Sequence, residues 1–258
     1  MSRPPRCVIP HWPHHVVQRG IRKQPTFYED PDFLVYIRVL GSASREHSLR
    51  VISYALMTNH SHLIVVPPDE HSISSALQQA HTEYGIYFNN KYGFKGHVWQ
   101  GRPKMFAMHE AYMWNAIRYV ERNPVRAHLV DRAEDYLWSS AAAHCGLRDD
   151  SLLDNDFLEK GVITNWSEWL SVEQSEKEIN TIRRFTSTGR PWAAPELLKQ
   201  LEEITGRKLI PGRPGRPAKS SRQKLGNAPS GPDFYACAVP AGWDSPGAAD
   251  DDDIGSGS

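Results

Sequence analysis

The sequence is poor in cysteine and contains no long apolar run. Its three cysteines, Cys7, Cys145 and Cys237, are far apart, odd in number and without a C-x-x-C spacing. This pattern argues against a disulfide framework or a zinc knuckle and favours a reducing compartment. A membrane span would need about 18 consecutive apolar residues, which are lacking, and no apolar segment follows the basic N-terminus to form a signal peptide. We therefore expect a cytoplasmic protein with no membrane partner.

The net charge is also low, because 30 Lys and Arg balance 30 Asp and Glu. The charges are nevertheless segregated along the chain. Residues 227–258 contain six Asp and no Lys or Arg, which leaves 30 basic and 24 acidic residues, a net charge of +6, in residues 1–226. A basic body with an acidic end favours nucleic acid as a partner.

Hydrophobic periodicity predicts the element order β-α-β-β-α-β-α as far as residue 122. The predicted strands are 14–19, 50–57, 62–66 and 98–108, and the predicted helices are 31–46, 72–91 and 110–122. The first six elements spell the split βαβ, or ferredoxin-like, arrangement of the α+β class. This fold packs its helices on one face of an antiparallel sheet and leaves the other face open for ligands.

The chain beyond residue 122 is predicted to be helical and then irregular. A short helix is expected after residue 135, further helices at 166–186 and 194–205, and a variable acidic insertion at 149–165. Residues rich in Pro, Gly, Ser and Ala, with little periodicity, predict disorder from 211 onward. We accordingly divide the chain into a main domain, a helical extension and a basic then acidic disordered tail, at 1–148, 149–210 and 211–258.

Two histidines and a tyrosine indicate possible chemistry. His60 and His62 open a predicted strand, where alternate side chains share a face, so both imidazoles would project together and Ser61 would point away. Such a pair can bind a divalent cation. Tyr119 and Asn123 lie one turn apart on a predicted helix and its end, and a cation makes a phenol an effective nucleophile toward a phosphodiester. Hydrogen-bonded strand histidines and a core tyrosine are the alternative interpretation.

Four blocks of sequence resemble the single-tyrosine HUH transposases, and most closely the REP-associated tyrosine transposases of bacteria. The blocks are HVVQRG, MTNHSH, YVERNPVRA and DYLWSS, at 15–20, 57–62, 119–127 and 135–140. They occur in the order and approximate spacing of that family. One departure is Ser61, because the family's His-x-His motif normally has a hydrophobic middle residue.

The resemblance implies a function and a site. Residues 1–148 would be the catalytic domain, in which His60 and His62 bind Mg²⁺ or Mn²⁺ with Asn123 as a third ligand. Tyr119 would attack single-stranded DNA at REP-like hairpins, leaving a 5′-phosphotyrosine and a free 3′-OH. The family contains both dimers and self-contained monomers, and the REP-associated branch favours a monomer. The protein would act at the nucleoid.

Basic residues near these blocks are predicted to neutralise DNA phosphates. They are Arg19, Arg22, Lys23, Arg102, Lys104, Arg118, Arg122 and Arg126. Tyr92, Phe94 and Trp99 are candidates for stacking on unpaired bases. Arg213 and Arg216 form an AT-hook-like arm that would enter a minor groove, or else part of a charged linker.

Three other functions are compatible with the sequence. A catalytically silent relative would bind hairpin DNA without forming a covalent adduct. A replication initiator or relaxase would usually need a longer chain or a second tyrosine. An unrelated metal hydrolase would cleave small phosphoesters without any protein–DNA linkage.

Overall fold

A computed structural model of the chain describes residues 7–154, 163–206 and 208–210. The described residues belong to two compact units that divide between Trp192 and Ala193. The domain boundaries drawn from the sequence, at 148 and 210, stay a prediction. The tail at 211–258 and much of the acidic insertion lie outside the described residues. No helix in the described ranges is both long and apolar enough to cross a bilayer.

A four-stranded antiparallel sheet organises the first unit, with the strand order β2-β3-β1-β4. The strands are β1 (His14–Arg19), β2 (Arg50–Met57), β3 (His60–Val66) and β4 (Lys104–Ala107). The helices are α1 (Asp30–Glu46), α2 (Ser72–Tyr92), α3 (Glu110–Glu121), α4 (Asn123–Arg126), α5 (Ala141–His144), α6 (Trp166–Ser171), α7 (Glu176–Thr188) and α8 (Pro195–Thr205). This is the predicted split βαβ arrangement, and the α+β fold class is confirmed.

Two predicted elements differ in length from those observed. The fourth strand covers only Lys104–Ala107, because Gly101 takes a left-handed φ of 52° and Pro103 has no N–H for the ladder. The helix expected at 166–186 is two helices, α6 and α7. Ser175 begins α7 with a capping box, in which its hydroxyl accepts from the Glu178 N–H and the Glu178 side chain accepts from Ser175.

Helices α1 and α2 pack on one face of the sheet, as predicted. The α1 helix begins with Pro31 in its first turn and a capping box between Glu29 and Asp32. Asp32 is fully buried and accepts hydrogen bonds from the hydroxyls of Tyr87 and Tyr92 on α2. The core between these helices and the sheet includes Tyr36, Leu40, Leu63, Val65 and Tyr84.

The second face of the sheet, which was expected to be open, is largely covered by α3 and α7. Their apolar side chains, among them Ile117 and Ile182, are fully buried against Ile64 and Phe106 of the sheet. Both helices present an apolar stripe, and burying it against the apolar sheet residues is favourable. The site that the sequence predicted lies beside this second core.

The DYLWSS block forms an extra edge along β2. The Leu56 N–H donates to the Trp138 carbonyl at 2.8 Å, and the Ser140 N–H donates to the Tyr54 carbonyl at 3.0 Å. The Trp138 ring stacks on Phe33 with centroids 4.6 Å apart. This block therefore stabilises both β2 and α1, although it is distant from them in sequence.

The second unit contains α8. Pro195 occupies its first turn, and Gly206 ends it in the left-handed region at φ 65°. The Glu202 carboxyl group accepts from the Ile210 N–H at 2.8 Å, which folds the following residues back on the helix.

Candidate active site

Strand β3 places His60 and His62 on the face of the sheet that α3 covers. His62 is paired with Val17 and His60 with Arg19 of β1. The two imidazole centroids are 4.9 Å apart, and both side chains are largely buried. Ser61 is fully buried and lies on the opposite face, which it shares with Leu63. Alternation in the strand thus groups the two histidines and separates them from Ser61.

Helix α3 brings Tyr119 to the histidine pair. The Tyr119 ring centroid is 5.9 Å from that of His62, with the rings nearly perpendicular, and the side chain is 8% exposed. The Arg126 guanidinium lies 4.3 Å from the centre of the same ring. It also donates to the Tyr119 carbonyl at 2.5 Å and to Asn123 Oδ1 at 2.8 Å. One chain therefore holds the tyrosine, the histidines and the asparagine together.

The state of His60 fits a metal ligand. Its Nδ1 is 2.5 Å from Asn59 Oδ1, and the Asn59 amide donates to the Lys23 carbonyl, which orients the carboxamide. Because Oδ1 can only accept, His60 Nδ1 carries the proton and Nε2 keeps its lone pair. Burial, with a smaller contribution from Arg19, lowers the pKa of His60 to about 3. Neutral imidazole is the form that binds a metal ion.

His62 is held neutral in the same way. Burial, and the nearby His60, His15 and Arg126, lower its pKa well below the usual value. Its Nδ1 lies 2.9 Å from His15 Nε2, so only its Nε2 remains for another partner. His60 and His62 together can offer two imidazole nitrogens to one cation.

The third predicted ligand, Asn123, is already engaged. Its Oδ1 accepts from the positively charged Arg126, which competes with a cation for that oxygen. Its Nδ2 is buried without a hydrogen-bond partner among the described residues. The described ranges contain no group of three or more His, Cys, Asp or Glu placed to hold a metal ion. Two imidazoles and one amide oxygen suit Mn²⁺ better than Mg²⁺, which prefers oxygen ligands.

His15 and Arg183 belong to the site's surroundings but were not predicted as site residues. His15 is fully buried on β1, and its ring is nearly parallel to that of His62, with the two centroids 5.1 Å apart. Burial lowers its pKa to about 3. Side chains alternate between the two faces of β1, so His15 shares a face with Arg19, which is opposite His60. This alternation was the signal in the sequence that places His15 on the site's face. Burial lowers the pKa of Arg126, and Arg183, exposed on α7, lies close enough to add to this effect. No local pattern reveals this proximity.

Besides Arg126, four of the predicted DNA-binding residues lie on or near this face. Arg19 is directly opposite His60, and Lys104, which is exposed, is opposite Val17, the partner of His62. Arg22 and Lys23 are exposed in the turn after β1, with left-handed φ values of 54° and 60°. The Asn59 contact places the Lys23 backbone next to the His60 end of the site. Arg102 is exposed just before β4.

Other predicted contacts are placed differently. Arg118 is 1% exposed, with its guanidinium 4.3 Å from the centre of the Trp169 ring. Arg122 is buried and donates to the Leu170 carbonyl. Both side chains join α3 to α6, and their role in DNA binding stays a prediction. Trp99 is buried beside Tyr36, whereas Tyr92 is half-buried and Phe94 exposed. Arg213 and Arg216 lie outside the described residues.

The split βαβ sheet, with a histidine pair on a central strand and a tyrosine on the helix after β4, is the arrangement expected of a single-tyrosine transposase. Residues 10–123 match the family described as IS200-like transposases. The match confirms the resemblance found in the sequence blocks.

Two solved structures are similar to the chain. One is a REP-associated tyrosine transposase bound to a REP hairpin, with 18% identity and a TM-score of 0.48 over 61% of this chain and 93% of that chain. The other is a candidate transposase from Deinococcus radiodurans R1, with 12% identity and a TM-score of 0.34 over 47% of this chain and 97% of that chain. The comparison with curated proteins gives no match.

Proposed function

We propose that this transposase-family protein cleaves and joins single-stranded DNA with Tyr119 as its nucleophile. The main support is the position of the Tyr119 ring, 5.9 Å from His62 within one chain. The phenolic oxygen would bond to phosphorus as the bond from phosphorus to the 3′ oxygen breaks. The phenol releases its proton, and the 3′ oxygen takes one up and leaves as a hydroxyl. Joining reverses these steps with a new 3′-OH.

The side chains around Tyr119 would position it and exclude water. Arg126 contacts its ring and its carbonyl, so the guanidinium restrains both the side chain and the end of α3. His60 and His62 would hold Mn²⁺ or Mg²⁺ through their Nε2 atoms. When bound, the cation supplies positive charge that stabilises the phosphoryl oxygens during attack. Burial of the histidines strengthens such interactions, because the local dielectric is low.

Basic residues with half-buried or exposed side chains would hold the DNA at the same face. Arg19 on β1 is opposite His60, and Lys104 on β4 is opposite the residue that pairs with His62. Arg22 and Lys23 extend the positive charge past His60. Phosphate contacts of this kind give an affinity that falls with salt. The four sequence blocks support REP-like hairpins as the substrate. A site assembled within one chain supports a monomer, and a DNA substrate supports action at the nucleoid in the cytoplasm.

A covalent adduct is the direct test. Single-stranded hairpin DNA labelled at its 3′ end should yield a protein band carrying the label, stable to SDS, in the presence of Mn²⁺ or Mg²⁺. Tyr119→Phe should abolish this band. Tyr112→Phe is the matched control, because Tyr112 lies two turns earlier on α3 and stacks on Trp192 at 4.5 Å. An adduct of unchanged yield in Tyr119→Phe would refute the nucleophile assignment, and retained cleavage in the His60→Ala/His62→Ala double variant would refute the metal assignment.

One observation favours a second candidate function, a catalytically silent hairpin-binding relative. The Asn123 oxygen that would complete the cation's ligands is occupied by Arg126. Such a protein would bind hairpin DNA with the same salt dependence but form no adduct with any divalent cation. Parallel binding and adduct measurements on the wild-type chain distinguish the two functions.

A further inference from the structure

Helix α7 lies outside the family-matched residues 10–123, yet it reaches the histidine cluster. It packs on the second face of the sheet, where Ile182 is fully buried and the Phe185 ring is 5.8 Å from that of Phe106. One turn after Ile182, the Thr186 hydroxyl oxygen is 3.3 Å from His15 Nδ1. This part of the chain therefore contributes a polar atom to the surroundings of His62.

The hydrogen-bond partners determine where each proton lies. Thr186 donates its single hydroxyl proton to the Ile182 carbonyl at 2.9 Å. Toward His15 the same oxygen can then only accept, so His15 carries its proton on Nδ1. His15 Nε2 must in turn accept, and the group that faces it at 2.9 Å is Nδ1 of His62. The proton of His62 is therefore on Nδ1, and its Nε2 presents a lone pair.

We propose that Thr186 and His15 are positioning residues that set the tautomer of His62 for cation binding, so that α7 completes the site. This inference rests on the proposed function only in naming the cation as the ligand. Hydrogen bonds behind a metal-binding histidine commonly fix its tautomer and ring orientation. His60 reaches the same tautomer through Asn59, so both Nε2 atoms present lone pairs.

The hydrogen bonds from Thr186 through His15 to His62 form a relay, and reversing its direction would have the opposite effect. If Thr186 donated to His15 instead, His15 would donate from Nε2 to His62 Nδ1, and the His62 proton would move to Nε2. That nitrogen would then be a hydrogen-bond donor and could not bind a cation. The direction of the relay is therefore the quantity to measure.

The first measurement is the histidine tautomer in the full-length, metal-free protein. Long-range ¹⁵N–¹H correlation spectra distinguish Nδ1–H from Nε2–H, and the signal lost in His62→Asn identifies His62. We expect Nδ1–H for both His62 and His15 in the wild type. Nε2–H at His62 would overturn the proposal, whether or not any variant folds.

The second measurement is the Mn²⁺ affinity of variants, followed by the electron paramagnetic resonance of free Mn²⁺. Thr186→Val keeps the shape but removes the acceptor, and it should weaken binding by about 10–100-fold. Thr186→Ser should stay within about twofold of the wild type. Thr181→Val is the matched control, because Thr181 on α7 likewise donates to the carbonyl four residues earlier, at 2.7 Å. Equal affinity of Thr186→Val and the wild type would overturn the proposal.

Failure of this proposal is distinguishable from failure of the proposed function. If the wild type bound no Mn²⁺ but His62 kept Nδ1–H and lost it in Thr186→Val, the relay would stand and the metal assignment would fall. If the tautomer were Nε2–H while Tyr119 still formed the adduct, the relay would fall and the nucleophile assignment would stand.

Discussion

Replacing Glu121 by alanine should destabilise the protein strongly, because this carboxyl group joins three elements. Glu121 is fully buried, two residues after Tyr119 on α3. Its Oε1 accepts from Ser53 Oγ of β2 at 3.0 Å and from Ser140 Oγ at 2.5 Å. It is also 2.5 Å from Nδ1 of His144 on α5. Glu121 therefore connects the helix that carries the nucleophile with the sheet and with α5.

The magnitude follows from the groups that Glu121→Ala leaves behind. A buried polar group without its partner costs about 1–3 kcal/mol. Ser140 can turn toward the Tyr54 carbonyl at 3.3 Å, which reduces its share. We therefore expect a loss of about 3–5 kcal/mol in the free energy of unfolding, the range measured for removing one member of a buried pair. For an ordered region of this size, each kcal/mol lowers Tm by about 2–4 °C.

Urea denaturation followed by circular dichroism measures this loss. Glu110→Ala is the control on the same helix, because Glu110 is exposed in the first turn and should cost about 1 kcal/mol or less through the helix dipole. A loss below about 1 kcal/mol in Glu121→Ala, or one equal to that of the control, would show that the buried hydrogen bonds do not stabilise α3.

Three further predictions concern pH, Ser61 and Arg126. Burial lowers the pKa of His14 to about 4 and that of His15 to about 3, so the unfolded chain takes up more protons than the folded chain below pH 6.5. The free energy of unfolding should therefore fall as pH falls from 6.5 toward 4, by about 1.4 kcal/mol per pH unit for each such histidine. A free energy of unfolding that does not change with pH in urea titrations would contradict this. Ser61→Ala should change stability by about 1 kcal/mol or less and leave Mn²⁺ affinity unchanged, since Ser61 faces away from the histidines; a large loss of affinity would contradict that geometry. Arg126→Lys should slow adduct formation at least about tenfold, because a lysine cannot contact both the Tyr119 ring and Asn123; an unchanged rate in a single-turnover assay would exclude a positioning role.

Local patterns were sufficient for much of the fold. Alternation in β1, β2 and β3 and the apolar spacing of α1 and α2 predicted these elements within a residue or two. The reason is that burial on one face imposes a period of two on strands and of about 3.6 on helices. The predicted bounds of the fourth strand and of the helix at 166–186 were less accurate, because a turn at Gly101 and a cap at Ser175 interrupt otherwise continuous patterns.

The directions of the side chains on α3 could not be predicted from the local sequence. Arg118 and Arg122 were predicted to face DNA because they flank Tyr119 in sequence. On a helix, however, successive residues point in different directions, and both guanidinium groups are buried against α6. Only packing decides which side of α3 faces the sheet and which side meets α6. The same holds for the second face of the sheet, which α7 covers from a distant part of the chain.

The sequence by itself determined the split βαβ order, the shared face of His60 and His62, and the resemblance to the transposase family that residues 10–123 match. These features depend on strand alternation and short motifs, which are local. Only the tertiary structure decided that His15 lies behind His62 and Thr186 behind His15, 171 residues apart in sequence. That relay joins two strands and a helix late in the chain. The sequence alone could not predict it, because hydrogen bonds between distant residues depend on how apolar faces pack, and no local pattern encodes that packing.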